Sequence, residues 1–571
     1  MLKSIRKYLI ALSLLFAALI YYTSNIIPVG IWNDASENHL VDMPESVVAN
    51  ANRLVVAEKN LGDRFNPLLA TTSGEEKICE LVFDGLVDID EQGRIVPELA
   101  AFWDISEDAR TITFHLKEGI YFHDGSPLTT EDVAFTYTFL ASPYYQGPFF
   151  DKVMDLEGAL DYNQRRLGVT GVSGIHIMDE RTIQFILTEP NTLKLFDFQF
   201  GILPKHIYQV DSWGAFQALN QKPIGSGPFR LVNHTEQSVE LQANEAYYLK
   251  PANIDAIEII KLDNYDANSV YYLTEGKLDV ASINPNPQNV QRLTENEHIQ
   301  LVSHDSNSYG YIGLNLRDPK FKEPLVREAM MRGINRAFFA ETFYKGYGEV
   351  CNAPAAYMTV SEMEDLETYS YDPLLAKQLL EKAGWLDTDG DGIVEKDGKD
   401  FEFVLSTYTD SNYVYNVTAL LRSNLRDLGI NMEVEFLPFN ELVDQVFFQR
   451  DFDAYTLHWV LGPEQQMLGT FDQASDRVGG YNSVGYNNPE AEEIFQKVIK
   501  TVSEEERKML VEDWIRLANR DLPYLFLSYN VEMVGINRRV KNFHPTAYSG
   551  WADQAKEIVL IQQQNKSLSL D

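Results

Sequence analysis

Cysteine, basic residues and the usual catalytic motifs are all scarce in this chain of 571 residues. With only two cysteines, the fold has to rest on hydrophobic burial, because a disulfide framework needs more bridges. The 48 lysines and arginines are outnumbered by 84 aspartates and glutamates, which gives a formal charge of −36 at pH 7. Nucleic acids and anionic membrane surfaces bind basic patches, so neither is expected as the main partner.

The spacings that mark common catalytic sites are also missing. The sequence has no H-E-x-x-H zinc-peptidase motif, no G-x-x-x-x-G-K-[ST] phosphate loop, no G-x-G-x-x-G dinucleotide turn and no C-x-x-C pair. Gly225-Ser226-Gly227 lacks the G-x-S-x-G spacing of a nucleophile elbow. These absences favour a protein that is not an enzyme and that has no catalytic residue, cofactor or metal site.

One acidic loop has part of a calcium-binding pattern. Its residues match the first, third, fifth and sixth positions of a calcium loop, as Asp387, Asp389, Asp391 and Gly392. The twelfth position, which needs a bidentate carboxylate, is Gly398, and Glu395 and Asp400 compensate only in part. We interpret the loop as a solvated turn before a strand, with calcium binding as the alternative.

The amino-terminal residues have the pattern of an export segment. Three basic residues precede an apolar run that extends, with one short interruption, from residue 8 to residue 32. A basic flank before about 20 apolar residues directs the following chain across a membrane. Because no small-x-small cleavage site follows, we predict an uncleaved signal anchor over residues 1–32, with a cleaved secretion signal as the alternative. Residues 33–51 are predicted to be a polar tether, and the rest of the chain is expected to be extracytoplasmic.

Strand-like and helix-like patterns are mixed along the rest of the chain. Five segments have β-branched or period-two patterns, at Arg53–Ala57, Thr111–Leu116, Thr182–Leu187, Ser238–Ala243 and Ala256–Lys261. A helix is predicted between the N-cap Asp372, with Pro373 in its first turn, and the terminator Gly384, and two more near 324–335 and 414–428. The mixture predicts an α/β (mixed α+β) fold with interleaved segments.

A series of motifs past residue 52 is more specific than this overall pattern. The segment Pro97–Tyr137, PELAAFWDISEDARTITFHLKEGIYFHDGSPLTTEDVAFTY, is the most distinctive of them, with a helix that we expect Thr130 to cap. Others follow in order at Pro223–Leu231, Asn244–Tyr248, Leu273–Ala281, Tyr311–Leu316, Pro324–Arg336, Tyr371–Ile393 and Tyr486–Glu490. Together they resemble the dipeptide/oligopeptide-binding family of extracellular solute-binding proteins, family 5, which serve ATP-binding-cassette importers.

The resemblance implies a two-lobed clamshell of the periplasmic-binding-protein type. Lobe one is expected to combine a core built from 52–96, 196–304 and 535–565 with a family-specific insert subdomain at 97–195. Lobe two is expected to span 305–534. Crossing segments near His304–Gly313 and Leu522–Val534 are expected to act as hinges that let the lobes close on a ligand.

The resemblance also implies residues for ligand binding. Peptide binders of the family hold an extended ligand as an added strand, and the loop Thr71-Thr72-Ser73 aligns with the backbone that would pair with it. In lobe two the matching segment contains His458 and Trp459, and Trp459 aligns with an aromatic residue beside the ligand. Tyr145 and Phe149, in the insert, are weaker candidates.

The sequence departs from the family beyond the tryptophan. Peptide-binding members have an aspartate there that pairs with the α-ammonium of the ligand, whereas this chain has Leu461 and Gly462. A buried ammonium without a counter-ion is costly, so Glu464 is the nearest replacement. The alternative is a ligand without a free amine, such as a blocked peptide, a sugar or a metal chelate.

The expected function is therefore that of a monomeric substrate-binding component. It binds oligopeptides or dipeptides and delivers them to ABC permease and ATPase subunits, and the only part of the chain in the membrane is its amino-terminal segment. A peptide-sensing receptor or chaperone that does not transport is the alternative from another functional class. Cys79, in a helix of lobe one, and Cys351, in a loop of lobe two, are expected to be free thiols, because a disulfide between them would lock the lobes.

Overall fold

The structure, a computed structural model, describes residues 52–210, 212–343, 347–409, 412–462 and 467–561. The predicted signal anchor and tether, residues 1–51, lie outside this described part. None of the helices in the described ranges combines the length and the hydrophobicity that a membrane crossing needs.

A mixed sheet of eleven strands runs through the molecule. In spatial order its strands are Asn431–Leu437, Glu402–Tyr408, Ala454–Val460, Ile299–Leu314, Leu525–Asn537, Val280–Ile283, Arg53–Glu58, Ala256–Lys261, Ser238–Ala243 and Phe229–His234, and Gly348–Val350 also pairs with Leu525–Asn537. Parallel pairs, such as Arg53–Glu58 with Ala256–Lys261, stand beside antiparallel ones. The predicted mixed α/β architecture is thus present.

Smaller sheets lie beside this central sheet. A four-stranded antiparallel sheet consists of Ala100–Ile105, Thr111–Leu116, Thr182–Ile186 and Ile175–Ile177. Three two-stranded sheets pair Val87–Ile89 with Ile95–Pro97, Glu395–Lys396 with Lys399–Asp400, and Val540–Lys541 with Val559–Leu560. The four-stranded sheet falls within the region predicted to be the insert, residues 97–195.

Helices cover the faces and ends of the sheets. The α-helices are Ser73–Val82, Thr130–Leu140, Ala159–Asn163, Lys205–Tyr208, Trp213–Gln217, Tyr265–Thr274, Pro287–Thr294, Pro319–Lys322, Pro324–Gly333, Arg336–Phe343, Tyr357–Val360, Pro373–Lys382, Asn412–Asp427, Phe439–Val443, Pro489–Val498 and Glu504–Asp521. Short 3-10 helices at Phe150–Lys152, Thr192–Phe198 and Gln473–Ser475 and a π-helical turn at Asp444–Gln449 complete the set.

Buried hydrophobic side chains form two large cores. The first core draws its residues from 54–280 and 534–560, and the second core draws them from 309–529. A third, smaller cluster covers the other face of the strand Arg53–Glu58, because Leu54 and Val56 belong to the first core whereas Val55 and Ala57 belong to the third cluster. This strand is buried on both faces, as a central strand with parallel partners should be.

Two long strands run from one core to the other. Ile299–Leu314 and Leu525–Asn537 pair antiparallel, with irregular register between Asp305 and Tyr309 and again at Gly310. Such irregularities interrupt the ladder of hydrogen bonds locally. They fall within the segments predicted to be hinges.

Local sequence signals located most elements well. Three of the five predicted strands have the predicted bounds and the other two differ by one residue at the carboxyl end. Asp372 caps the helix Pro373–Lys382 by accepting hydrogen bonds from the N–H groups of Leu374 and Leu375. The expected cap at Thr130 was wrong by one residue, because Thr129 is the N-cap and forms a capping box with Asp132.

A glycine-rich turn before the strand Phe229–His234 fits tightly against a helix end. A Cβ atom on Gly225 would lie 2.0 Å from the carbonyl oxygen of Val82. Gly227 donates its backbone N–H to the same oxygen, at 2.9 Å. The glycines of this motif therefore allow close packing of two backbones.

Both cysteines are buried free thiols. Cys79 lies in the helix Ser73–Val82, and Cys351 follows the strand Gly348–Val350. Each belongs to a different core, so the expectation of two separate thiols is confirmed.

Candidate functional site

A large cavity lies where the first core meets the two long strands. Its volume is about 720 Å³. Residues from the first core and the carboxyl-terminal segment line most of it, and His304, Asn307, Leu461, Gly462 and Glu532 line the remainder. The volume lies within the range of about 300–1,000 Å³ that is typical of small-ligand sites.

The lining of this cavity is strongly acidic. Among the residues that the structure describes, nine carboxylate residues line it, namely Glu58, Glu76, Glu80, Asp84, Asp88, Glu98, Asp197, Glu532 and Asp553. The same described lining contains three lysines, Lys77, Lys152 and Lys556, and no arginine. The cavity therefore concentrates the negative charge that the sequence shows overall.

Each of the three lysines lies beside one carboxylate. The ammonium of Lys77 is 2.5 Å from the carboxylate of Glu58. Lys152 is 3.0 Å from Asp197, and Lys556 is 3.6 Å from Glu98. Six carboxylate residues of the lining remain without a lysine of their own.

The helix Ser73–Val82 presents three charged residues to the cavity. Glu76 and Glu80 are four positions apart, so they lie on the same helical face, next to Lys77. At the start of the helix, the carboxylate of Glu75 accepts the backbone N–H of Thr72 at 3.3 Å, which satisfies one donor of the first turn.

A buried carboxylate pair lies behind this helix. The hydroxyl of Tyr247 donates to Oε1 of Glu98 at 2.8 Å and to Oδ1 of Asp84 at 3.4 Å. Burial raises the pKa of Asp84 well above its ordinary value, and the charge of Glu98 raises it further. Oδ2 of Asp84 is buried and accepts no hydrogen bond from the described residues.

Three more carboxylates of the lining interact through their charges. Burial raises the pKa of Glu80 well above its ordinary value, and the charge of Asp553 adds to the effect. The pKa of Asp88 is raised to about 6, by burial first and then by the charge of Glu98. Burial also raises the pKa of Asp553, although its carboxylate accepts a hydrogen bond from the N–H of Gly550 at 2.7 Å. These groups form one acidic wall, which we define as Glu80, Asp84, Asp88 and Asp553.

The structure brings three of the predicted ligand-binding residues to this cavity. Ser73, Phe149 and Gly462 line it. Thr71 and Thr72 do not line it, and their backbone N–H groups donate to Oε2 of Glu75 at 3.1 and 3.3 Å. These two N–H groups therefore have an acceptor within the chain, and pairing of this loop with a peptide stays a prediction.

Tyr145 has a packing role in the described structure. It is 8% exposed, and its hydroxyl donates to the carbonyl of Leu68 at 2.7 Å and accepts the N–H of Phe149 at 3.1 Å. Tyr145 thus fixes the position of the loop that contains Phe149, a residue that lines the cavity. A contact between Tyr145 and a ligand stays a prediction.

His458 and Trp459 lie near the end of the strand Ala454–Val460. Leu461, the residue directly after this strand, lines the cavity. The ring of Trp459 lies parallel to that of Tyr311, with 6.2 Å between centroids. Burial lowers the pKa of His458, and a Cβ atom on the paired Gly310 would lie 2.9 Å from its Nε2. Both side chains are partly buried, and their contact with a ligand stays a prediction.

The place of the missing aspartate is part of the cavity. The backbone of Leu461 is fixed by Asn307, whose side-chain amide donates to the carbonyl of Leu461 at 2.6 Å. Glu464, predicted to replace the aspartate, lies outside the described residues. The acidic wall was missed from the sequence, although the acidic residues Glu80, Asp84 and Asp88 recur at every fourth position.

The two cores also touch outside the long strands. Thr192 donates its backbone N–H to the carbonyl of Ile499 at 2.8 Å, and its hydroxyl donates to the carbonyl of Val498 at 3.3 Å. Thr192 begins a 3-10 helix that packs on the first core, whereas Val498 belongs to the second.

The acidic loop at 387–400 forms a turn fixed by its own backbone. Asp387 accepts the N–H groups of Gly390 and Gly392, at 2.8 and 3.2 Å. Its carboxylate, that of Asp389 and that of Glu395 come within 4.8 Å of one another. The loop is a turn that lies apart from the lining of the cavity, and calcium binding stays the alternative.

Comparison with known proteins identifies relatives of this chain. The sequence profile of the bacterial extracellular solute-binding proteins, family 5 Middle, matches residues 94–476, which is more than half of the chain. The oligopeptide-binding protein AppA of Bacillus subtilis is 27% identical over 489 residues, covering 83% of this chain and 86% of the relative.

Solved structures resemble the fold described above. The structure of the oligopeptide-binding protein AppA from Bacillus subtilis in complex with a nonapeptide gives a TM-score of 0.67 at 24% identity and covers 89% of this chain and 99% of its own. The structure of NikZ from Campylobacter jejuni in complex with Ni(L-His) gives a TM-score of 0.69 at 24% identity, with the same coverage. The predicted fold is thereby confirmed.

Proposed function

Because this chain belongs to the bacterial extracellular solute-binding proteins of family 5, we propose that it binds short peptides in the cavity and delivers them to an importer. As a member of that family it is an extracellular or periplasmic solute-binding protein of an ABC transporter, and it is not an enzyme. The peptide, its binding residues and the closing motion are the proposed parts. The amino-terminal signal anchor also belongs to the proposal.

The cavity of about 720 Å³ is the observation that carries this proposal. Residues of the first core line most of it, and residues of the two long strands and Leu461 of the second core line the rest. Two cores joined by long strands with irregular register are an arrangement that suits hinge closure. In the proposed description, lobe one contains 52–96, 196–304 and 535–565 with the insert 97–195, and lobe two contains 305–534. A ligand that contacts both lobes shifts the balance toward the closed form.

Peptide is the ligand that the relatives favour. The curated relative and one of the solved structures are named as oligopeptide-binding proteins, whereas NikZ was solved with a nickel–histidine complex. The carboxyl-rich lining fits a ligand that carries ammonium groups, which peptides do. A sugar offers no charge that such a lining would recognise.

Native mass spectrometry of the protein purified without denaturation tests the ligand class. We expect added masses that sequence as a mixture of short peptides after release by acid. A single non-peptide mass, such as a metal chelate or a sugar, would overturn the peptide assignment. Small-angle scattering with and without the released pool tests the closing motion, and identical profiles would contradict it.

Substitution of Trp459 tests the predicted binding segment of lobe two. Trp459→Ala is expected to weaken peptide binding by about 1–3 kcal/mol, because an aromatic contact is lost. Trp385→Ala is the matched control, since Trp385 is a buried tryptophan of the second core that packs on Phe401 and does not line the cavity. The control should lower stability and leave the affinity of the folded protein unchanged. Equal affinities for all three proteins would remove Trp459 from the site.

A further inference from the structure

We propose that the acidic wall binds a cationic group of the ligand, an ammonium or a guanidinium, so that the protein selects peptides with positive charge. This inference rests on the proposed function, and it adds a substrate class to it. The wall consists of Glu80, Asp84, Asp88 and Asp553, which all line the cavity.

The lysines of the lining act on these carboxylates from beyond ion-pair distance. The charge of Lys77 acts on Glu80, and that of Lys556 acts on Asp84 and Asp88. The three lysines of the lining are held by Glu58, Asp197 and Glu98. Within the described part of the chain, the carboxylates of Glu80, Asp84, Asp88 and Asp553 have no lysine, arginine or histidine nitrogen within ion-pair distance. The wall is thus left with an excess of negative charge that a ligand can compensate.

Asp84 is the clearest sign that a partner is missing. The residue is only 5% exposed and lines the cavity. Its Oδ2 is buried without a hydrogen-bond donor among the residues that the structure describes. A buried acceptor without a partner is rare in proteins and points to a group that is bound in function.

Glu80 and Asp553 supply the accessible part of the wall. Both side chains are exposed and line the cavity, so a ligand can reach them. They come from the helix Ser73–Val82 and from the carboxyl-terminal segment, on two sides of the same space. Although Glu80 is exposed to the cavity, the surrounding protein desolvates its carboxyl group and, together with the charge of Asp553, raises its pKa. A bound cation would reduce the repulsion between these two groups.

The geometry favours an organic cation over a bare metal ion. In the described ranges, the group of three carboxylates close enough to share one metal ion is that of Asp387, Asp389 and Glu395, outside the cavity. The carboxylates of the wall are spread around a space instead. An ammonium or a guanidinium on a flexible stem suits such a space, and Phe149, Tyr548 and Trp551 in the same lining offer apolar surface for the stem.

Calorimetric titration with matched tripeptides tests the inference. The probes are Ala-Lys-Ala, Ala-Ala-Ala and Ala-Glu-Ala, each with a free and an acetylated amino terminus, measured at physiological salt against the protein freed of co-purified ligand. We expect Ala-Lys-Ala to bind at least about tenfold more tightly than Ala-Glu-Ala, because one charge-assisted contact is gained. If the acetylated lysine peptide keeps its advantage, the wall binds the side chain; if only free amino termini bind well, it binds the α-ammonium.

Charge-neutral variants distinguish the effect of the acidic wall on peptide affinity from the effect of the protein's overall negative charge. Glu80→Gln combined with Asp553→Asn should remove most of the preference for cationic peptides. Glu441→Gln is the matched control, because Glu441 is exposed, lies on the helix Phe439–Val443 and does not line the cavity. Circular dichroism and thermal unfolding check that all variants are folded.

The outcomes distinguish this inference from the function on which it rests. Equal affinity for all tripeptides, unchanged by the double variant, would overturn the acidic wall and leave peptide binding in place. Binding of none of the tripeptides, together with binding of the diamine cadaverine that the double variant loses, would overturn the peptide assignment and support the wall. Binding of neither tripeptides nor cadaverine would overturn both.

Discussion

The carboxylate of Asp279 and the guanidinium of Arg539 form a buried, two-point ion pair that joins three segments of the central sheet. Nε of Arg539 lies 2.6 Å from Oδ1 of Asp279, and its Nη2 lies 2.7 Å from Oδ2. The same Nη2 donates to the carbonyl of Arg53 at 2.7 Å, and Oδ2 accepts the N–H of Val55 at 2.8 Å. Segments at 53–55, 279 and 539 are therefore locked together although they are far apart in the chain.

Loss of the aspartate should destabilise the protein strongly. We expect Asp279→Ala to lower the free energy of unfolding by about 3–5 kcal/mol, because the guanidinium stays buried without its partner. Urea unfolding followed by circular dichroism measures the change. Asp266→Ala serves as the control, since Asp266 is exposed and pairs with the exposed Lys59 at 3.7 Å, an interaction that contributes less than about 1 kcal/mol. Similar losses for both variants would contradict the assigned role of Asp279.

The hydroxyl of Tyr145 should matter for stability rather than for affinity. Tyr145→Phe removes one donated and one accepted hydrogen bond, to Leu68 and from Phe149, both in buried surroundings. We expect a loss of about 1–3 kcal/mol in the free energy of unfolding. Peptide affinity, measured on the folded variant, should change less than twofold. A large loss of affinity with little loss of stability would instead place Tyr145 at the ligand.

The carboxyl group of Asp88 should make stability depend on pH. Its pKa is raised from 3.8 to about 6, and the groups around it are Glu98, Lys556 and Asp553. A raised pKa in the folded state means that the contribution of Asp88 is full below about pH 4 and is lost as the pH rises through about 6. Asp88→Asn cannot ionise, and its amide oxygen can still accept the N–H of Ile89.

The stability of Asp88→Asn relative to the wild type should therefore rise with pH and level off above about pH 7. The expected gain is on the order of 2 kcal/mol between pH 4 and pH 7.5, measured by urea unfolding of both proteins at each pH. Asp263→Asn, at an exposed site without an ion pair in the described residues, controls for the change in net charge. A difference between Asp88→Asn and the wild type that stays flat with pH would argue against burial of this charge.

Both thiols should be inert in the folded protein. Cys351 is fully buried, its thiol donates to the carbonyl of Ala353 at 3.2 Å, and burial raises its pKa to about 12. Burial also raises the pKa of Cys79 well above its ordinary value. A thiol-specific chromogenic reagent should find no reactive group under native conditions and two after unfolding in guanidinium chloride. Two thiols that react quickly in the native protein, or none after unfolding, would contradict the buried, reduced state.

Much of the fold could be predicted from local patterns. The strands at 111–116, 238–243 and 256–261 have the predicted bounds because their alternation of apolar and polar residues is set by the face that each strand buries. The start of the helix Pro373–Lys382 could be predicted because proline is favoured in the first turn after an N-cap residue, here Asp372. The cap at Thr129 was missed because two adjacent threonines offer the same hydroxyl, and only the position of Asp132 decides between them.

The site was harder to predict than the fold. The aligned motifs predicted Ser73, Phe149 and Gly462, which line the cavity, and Thr71 and Thr72, which do not. The N–H groups of these two threonines donate to Glu75, a contact that depends on how the glutamate side chain folds back and that the sequence does not show.

The amino-acid sequence by itself determined the composition of this protein, its acidic charge, its family motifs and most of its strands and helices, because these depend on neighbouring residues. Only the tertiary structure decided which carboxylates share a wall. Glu80, Asp84 and Asp88 lie within one short stretch of the chain, whereas Asp553 comes from the carboxyl-terminal segment and reaches the same cavity only through the tertiary fold. Charge interactions fall with distance in space and not along the chain, so their collective effect appears only once the sheet has formed.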